Sequence, residues 1–272
     1  MLKRGQSATW SAVLLIAGLV VPATALALTL RTRRAVARTR HATVPSATSS
    51  RGTPQIGALY SSPSTPMHTC TASVVASSRG NLLMTAAHCV SGNARGMVFV
   101  PGERGGRAPY GRWTVTAAYL APSWVTRQDP DADVAFLTVA PQTIGGKLTE
   151  IQQVTGAYAI GREARRGELV TVTGYPAGID DDPISCTARI YMTDGFPTFE
   201  CHGYVDGTSG SPWVLKTAHG PVVVGVIGGR HQGGCVEYRS YSPPLNASFE
   251  AYHRATSGAT ADTAPSPEGD GC

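Results

Sequence analysis

Between Cys70 and Gly228 the sequence consists of short apolar or β-branched runs broken by turn residues, at 70–76, 81–86, 97–100, 113–120, 133–140, 169–174, 184–191 and 221–228. Runs of four to eight residues have the length of strands. Their rhythm fits a β-sandwich or barrel and excludes a chain of βαβ units. The 31 glycines and 19 prolines, about 18% of the chain, are too many for a helical bundle and too few for low-complexity disorder. With 42% apolar residues the chain can bury a sizeable core. One helical stretch stands out at 246–255, with Phe249 and Tyr252 on one face and Asn246 placed to cap it, so that it closes the fold by docking on a barrel.

The formal charge of +5 is unevenly placed. Residues 1–51 hold eight Lys/Arg and no acid, which leaves 15 basic against 18 acidic residues, a net of −3, for the rest. The globular part has no electrostatic footprint for phosphate backbones, so nucleic acid is not expected as a partner. Lys3 and Arg4 precede an apolar run over 12–21, Pro22 breaks it, and Ala25-Leu26-Ala27 offers small residues where a signal peptidase cuts. This pattern predicts a secretory signal peptide over 1–27. The competing reading is a retained membrane anchor, because apolar character continues to Leu30 and Arg31, Arg33, Arg34, Arg38 and Arg40 resemble a stop-transfer flank. Those arginines could also meet anionic lipid or wall polymers. Residues 28–53 lack apolar periodicity and read as a flexible basic leader, and residues 257–272 as a polar low-complexity tail.

Six cysteines, Cys70, Cys89, Cys186, Cys201, Cys235 and Cys272, all lie beyond the targeting segment. An even set in an exported chain predicts disulfides. No CxxC pair occurs, which argues against a structural zinc site. An anchor holding the arginines inside would leave these cysteines in a reducing compartment, which counts against it.

Three segments set a titratable or nucleophilic residue among small or apolar neighbours: Thr85 to Val90 around His88, Asp131 to Leu137 around Asp133, and Gly207 to Trp213 around Ser209. A serine hydroxyl attacks poorly near neutral pH unless a base takes its proton, and an imidazole is suited to that task. A carboxylate must then hold the imidazole in one tautomer and stabilise the imidazolium. His88 is the expected base, Asp133 the orienting acid and Ser209 the nucleophile. The glycines around Ser209 let successive N–H groups, those of Gly207 and Ser209, meet a developing oxyanion. Competitors are present: Asp129 and Asp131 in a short acidic turn, and Ser211 two residues from Ser209. The Val-Ala-Phe-Leu run after Asp133 and the glycines flanking Thr208-Ser209 favour the first assignment. The remaining histidines show no ligand spacing, and only His202 and His231 are kept as neighbours of a pocket. No metal or organic cofactor is needed for this chemistry, although a peripheral calcium site is left open.

The boxes TAAHC, DVAFL and GTSGSP resemble the histidine, aspartate and serine boxes of chymotrypsin-fold serine peptidases, and VTGYPAG at 172–178 resembles their glutamyl endopeptidase-like branch. The resemblance covers about residues 54–256, with 45 residues from His88 to Asp133 and 76 from Asp133 to Ser209. It implies an all-β fold of two antiparallel six-stranded barrels with a C-terminal helix and the triad in the cleft between them. The implied activity is that of a monomeric, secreted serine endopeptidase acting on peptide or protein substrates through an acyl-enzyme. Members activated by zymogen cleavage carry an aspartate before the nucleophile, whereas Thr208 stands here, so no buried N-terminal salt bridge is expected.

The resemblance also pairs Cys70 with Cys89. Cys186 and Cys201 bracket a turn at Thr193-Asp194-Gly195 and are expected to bond, leaving Cys235 for Cys272, with Cys201–Cys235 as the alternative. Gly203 stands near the position that is acidic in members cleaving after Lys or Arg. Val226-Ile227-Gly228-Gly229 is the expected pocket strand, and Ile227 stands about where glutamate-specific members have a histidine. Gly203, Ile227, Gly228 and Gly229 are therefore the expected substrate-binding residues, with a small or apolar side chain preferred. Two alternatives remain at this level: a chymotrypsin-fold module that binds peptides without cleaving them, and a membrane-tethered enzyme.

Overall fold

Continuous apolar runs such as Leu82 to Thr85 mean that both faces of a strand are buried, and a computed structural model describing residues 44–178 and 182–272 shows what covers each face. The expected signal peptide, the anchor alternative and leader residues 28–43 lie outside the described residues. Strand β1 (Thr48–Ser49) belongs to the second lobe. The next six, β2 (Ile56–Tyr60), β3 (Cys70–Val75), β4 (Leu82–Thr85), β5 (Val98–Pro101), β6 (Trp113–Leu120) and β7 (Ala135–Val139), close a barrel in the order β2-β3-β4-β7-β6-β5. A short helix α1 (Pro122–Arg127) lies between β6 and β7.

Period-two alternation sorts the side chains of this barrel into two cores. Leu59, Cys70, Ala72, Val74, Leu83, Phe99 and Leu137 share one core. Ile56, Ala58, Val75, Leu82, Met84, Val100 and Phe136 share another, in which Tyr175, Val223, Val226, Leu245, Ala251 and Ala255 from later in the chain complete the packing. The barrel therefore has little polar outer surface on that side, which explains the unbroken apolar runs. Full burial of one such Leu or Phe stabilises the fold by roughly 1.5–3 kcal/mol.

A two-stranded hairpin, β8 (Gln142–Ile144) and β9 (Lys147–Thr149), and helix α2 (Ile151–Thr155) lead to the second lobe. There β10 (Ala159–Ile160), β11 (Leu169–Gly174), β12 (Ile184–Arg189), β13 (Tyr191–Thr193), β14 (Phe196–Glu200), β15 (Pro212–Thr217), β16 (Gly220–Val226) and β17 (Arg239–Tyr241) form two sheets. The orders are β1-β12-β11-β15-β16-β10 and β13-β14-β17. The all-β architecture is as expected, but the second lobe is not one closed six-stranded cylinder. At Ile190 the chain passes from β12, paired to β11, into β13, paired to β14, and so changes sheets. The Cys186–Cys201 disulfide and the bond from Gly228 N–H to the Tyr241 carbonyl (3.0 Å) tie the two sheets together around a core of Val170, Val172, Phe199, Trp213, Val224 and Ile227.

Helix α3 (Phe249–Ser257) follows a 3₁₀ turn at Leu245–Ser248. Asn246 sits in that turn, where its side chain accepts from Ala247 N–H instead of capping the helix, and the docked face is Ala251, Tyr252 and Ala255, with Phe249 left 38% exposed.

The ordered body also extends beyond 54–256 at both ends. In the leader, His202 N–H donates to the Pro45 carbonyl (2.8 Å), Ala47 N–H donates to the His202 carbonyl (2.9 Å), and β1 pairs with β12. In the tail, Asp262 and Ala264 form bridges to Ala118 and Gly92. Polar segments that cannot bury a core of their own are ordered here by bonding to backbone edges that the lobes leave unpaired. The disulfides are Cys70–Cys89, Cys186–Cys201 and Cys235–Cys272, and the Cys201–Cys235 alternative is not formed. Among the described residues no helix is long and apolar enough to cross a membrane.

Candidate active site

His88 lies on the 3₁₀ turn Ala87–Cys89 directly after β4, and Asp133 directly after the turn Pro130–Ala132 that leads into β7. Because β4 and β7 are neighbours, paired from Leu82 with Thr138 to Thr85 with Ala135, the closed barrel sets the two side chains side by side. The Asp133 carboxylate is fully buried and has three close polar partners. His88 N–H donates to Oδ1 (2.8 Å), Gly229 N–H donates to Oδ2 (2.7 Å), and His88 Nδ1 lies 2.7 Å from Oδ2. The carboxylate accepts the hydrogen bond of Nδ1–H, which fixes the tautomer with Nε2 free to accept. Asp129 and Asp131 play no part: Asp129 pairs with Arg127 and accepts from Asp131 N–H.

Ser209 is contributed by the second lobe but is held by the first. Thr71 on β3, fully buried, donates its N–H to the Ser209 carbonyl (2.8 Å) and its hydroxyl to the Gly207 carbonyl (3.0 Å), while accepting from Tyr175 N–H (2.9 Å). A side chain at Gly210 would collide with the Thr71 carbonyl and the Thr85 hydroxyl, so the loop approaches β3 only because that position is glycine. Ser209 is partly accessible. Ser211 is fully buried, its hydroxyl donating to the Thr208 carbonyl (2.6 Å) instead of facing the cleft. Thr208, in the place of an activating aspartate, instead bonds the Val205 carbonyl (2.7 Å), locking the loop locally.

The orientation of the 206–207 peptide decides whether Gly207 N–H faces the cleft. Ala177 N–H donates to the Asp206 carbonyl (2.6 Å), and in a trans peptide the N–H of Gly207 then points the opposite way. Gly207 has φ +87°, and a Cβ there would strike the backbone of Ala177 and Tyr175. Among the described residues neither Gly207 N–H nor Ser209 N–H has a backbone or side-chain acceptor, so two donors on one turn remain open.

His88, Gly207 and Ser209 line one cleft of about 850 Å³, together with Ile227, the 231–237 segment, Tyr204, Asp206 and Arg239. Of the other expected pocket residues, Gly203, Gly228 and Gly229 are not in the lining. Gly203 N–H donates to Glu237 Oε2 (2.6 Å), whereas Gly228 and Gly229 back the Asp133 carboxylate. Both of these lie one layer behind the cleft surface. His231 is in the lining, and His202 stands behind it with Nδ1 2.6 Å from Glu237 Oε1. The Gly203 and His202 bonds hold the Glu237 carboxyl below its ordinary pKa, so it stays ionised at neutral pH. Arg239 is already engaged, its Nε (2.9 Å) and Nη2 (2.7 Å) both on Glu200 Oε1. Burial pushes the Tyr204 phenol up, and its hydroxyl donates to the Val172 carbonyl (2.7 Å).

Thr71 and Glu237 were not singled out in the sequence, and Ala177 entered only as part of the VTGYPAG box. Thr71 does sit next to the expected Cys70 and on the strand run leading to His88, but nothing local marks it. Two groupings could in principle hold a metal, Cys70–His88–Cys89 and His231–Cys235–Cys272, but in both the sulfurs are locked in disulfides and offer no thiolate.

The family model for the trypsin-like peptidase domain matches residues 70–226, more than half of the chain. No curated protein matches. Among solved structures, the chain is similar to the protease Anisep from Arthrobacter nicotinovorans, with TM-score 0.65 and 23% identity over 77% of this chain and 98% of that one. It is also similar to the thermostable serine protease AL20 from an extremophilic microorganism (TM-score 0.61, 25% identity, 75% of this chain and 98% of that one). A Glu endopeptidase matches with TM-score 0.60 and 17% identity over 78% of this chain and 97% of that one, which speaks to fold alone.

Proposed function

The chain belongs to the trypsin-like peptidase domain family and is a serine-type endopeptidase, and from that premise we propose that it cleaves peptide bonds with Ser209 as nucleophile, His88 as base and then acid, and Asp133 as the orienting carboxylate. Ser209 Oγ forms a bond to the substrate carbonyl carbon while its proton passes to His88 Nε2, and the carbonyl oxygen becomes an oxyanion facing the N–H groups of Gly207 and Ser209. The C–N bond then breaks, with His88 returning the proton to the departing amine. Water repeats the sequence on the acyl-enzyme, delivering the acid and restoring Ser209.

The observation that carries this reading is the 2.7 Å contact between His88 Nδ1 and the buried Asp133 carboxylate, in a cleft shared with Ser209. Replacing Ser209 or His88 by alanine in the full chain is expected to lower kcat by roughly 10⁶. A loss below tenfold in either would overturn the assignment.

For the residue before the scissile bond, the proposal departs from the apolar preference expected from the sequence. Gly203 leaves the usual acidic position empty, but Glu237 reaches its backbone from the facing segment and presents a carboxylate to the cleft. Asp206 and Asp270 are in the lining as well, while Arg239 is paired to Glu200. A concave wall with this balance of charge attracts a cation, so Lys or Arg is the proposed preference. Glu237→Gln should reduce kcat/KM on Lys and Arg substrates about tenfold relative to Leu or Ala substrates, as for loss of a hydrogen bond to a charged group. An equal change for both classes would refute the preference. Export into an oxidising compartment is part of the same proposal, supported by three disulfides and the 1–27 segment.

A further inference from the structure

Residues 262–272 follow a path that the peptidase chemistry does not require. Asp262 is fixed to the first lobe: its N–H donates to the Ala118 carbonyl (2.9 Å), Leu120 N–H donates to its Oδ2 (2.8 Å), and Arg254 donates to its Oδ1 (2.6 Å). Two residues on, Ala264 exchanges both backbone bonds with Gly92 (2.7 and 3.1 Å) and packs its methyl, 4% exposed, into the core of the first barrel. The chain then passes Gln128, which bonds the Ser266 carbonyl (3.1 Å) and Glu268 N–H (2.9 Å). On the second lobe, Gln232 donates to the Glu268 carbonyl, His231 Nδ1 lies 3.0 Å from the Asp270 carbonyl, and Cys272 is bonded to Cys235. Pro267, Asp270 and Cys272 are themselves part of the cleft lining, beside His88 to Ser91 on one wall and His231 to Cys235 on the other.

A segment anchored on both lobes, with Pro267, Asp270 and Cys272 in the cleft that holds the nucleophile, occupies room that an extended polypeptide substrate would use. We propose that residues 262–272 are a strap, stapled by Cys235–Cys272, that limits this cleft to short or slender substrates and opens to longer chains when the staple is absent. Gln128, Gln232 and His231 hold it by polar bonds alone, and Pro267, Asp270 and both cysteines of the staple are exposed, so the stretch after Ala264 has little buried apolar area to keep it down once the disulfide is gone. The inference rests on the serine-peptidase reading above. If the strap is closed most of the time, the apparent affinity for a long substrate is reduced by the fraction open.

The test uses the full chain and the Cys235→Ser/Cys272→Ser double variant, with Ala264→Glu as a second variant that lifts the strap by placing a charge in its apolar socket while leaving the disulfide intact. Three readouts are compared: Ser209 labelling by a small fluorophosphonate, kcat/KM on a short peptide ester, and kcat/KM on a reduced, alkylated polypeptide. Both variants are expected to label as the parent does and to stay within about threefold on an ester of a neutral residue, but to gain about tenfold or more on the polypeptide. Unchanged labelling with no gain on the polypeptide in either variant would overturn the strap while leaving the catalytic assignment standing. Loss of labelling in the double variant alone would mark it as misfolded, and Ala264→Glu then decides. Absence of labelling in every form, the parent included, would overturn the catalytic reading and the strap with it.

Discussion

The two lobes solve different problems. The first is a closed barrel whose neighbouring strands β4 and β7 deliver His88 and Asp133 from adjacent ends, so the His88–Asp133 contact is set by strand register. The second is two sheets with long connections, and Ser209, Gly207 and the pocket wall lie on those connections, held by hydrogen bonds to Thr71 and Asp133 of the first lobe and to Ala177 of their own. Precision in the first lobe comes from sheet geometry, whereas in the second it depends on a few cross-lobe hydrogen bonds. Substitutions should separate these two kinds of support.

Beyond the Ser209 and His88 alanine variants, the largest effect is expected at Asp133→Asn, which keeps the shape but favours the wrong imidazole tautomer: kcat should fall by about 10⁴ with little change in KM. Steady-state kinetics on a peptide ester checks this, and a loss under a hundredfold would mean that the barrel-held pair is not what sets the rate. Next comes Gly207→Ala, which must displace the Ala177 and Tyr175 backbone and so rotate the 206–207 peptide. A loss of about 10²–10³ in kcat is expected, the cost of one oxyanion donor. Thr71→Val should cost less, about tenfold in kcat, because it leaves the loop in place but strips the bonds to the Gly207 carbonyl and Tyr175 N–H; denaturant titration should show a stability loss of about 1–3 kcal/mol. If Thr71→Val lost stability without slowing the reaction, cross-lobe bonding would be structural only. Smallest for catalysis is Leu83→Ala inside the first barrel, which should cost about 2–5 kcal/mol of stability while kcat of the remaining folded enzyme stays within a few-fold.

Lowering pH provides a further contrast. The Glu237 carboxyl is held below its ordinary value by Gly203 N–H and His202, so its folded pKa is depressed and its contribution is present above the unfolded value, about 4.3, and lost only as pH falls through the lower folded one. The preference for cationic over neutral substrates should therefore persist unchanged down to about pH 5. A preference that faded between pH 7 and 5 would point to another group as its source.

The same division explains what could be read from the sequence. Strands of the first barrel announce themselves where both faces are buried, giving runs such as Leu82 to Thr85 and Ala117 to Leu120, and His88, Asp133 and Ser209 stand out against small apolar neighbours. Strands β2 and β14 contain Gly57 and Pro197, residue types that usually interrupt strand runs but here lie within paired strands. Thr71, Ala177 and Glu237 were not legible because their roles arise from partners distant in the chain, such as Asp206 for Ala177 and Gly203 for Glu237. The tail has no core of its own to bury, and it is held where Ala118, Gly92 and Cys235 supply partners.

The central claim is that Ser209 is an activated nucleophile. Its most direct test is the intact mass of the purified, disulfide-bonded full chain before and after exposure to a fluorophosphonate, with Ser209→Ala alongside. The account predicts a single adduct that maps to Ser209 and is absent in the variant. A folded, oxidised parent that takes no adduct, or one that labels equally without Ser209, would contradict it and leave a peptide-binding module as the reading of this fold.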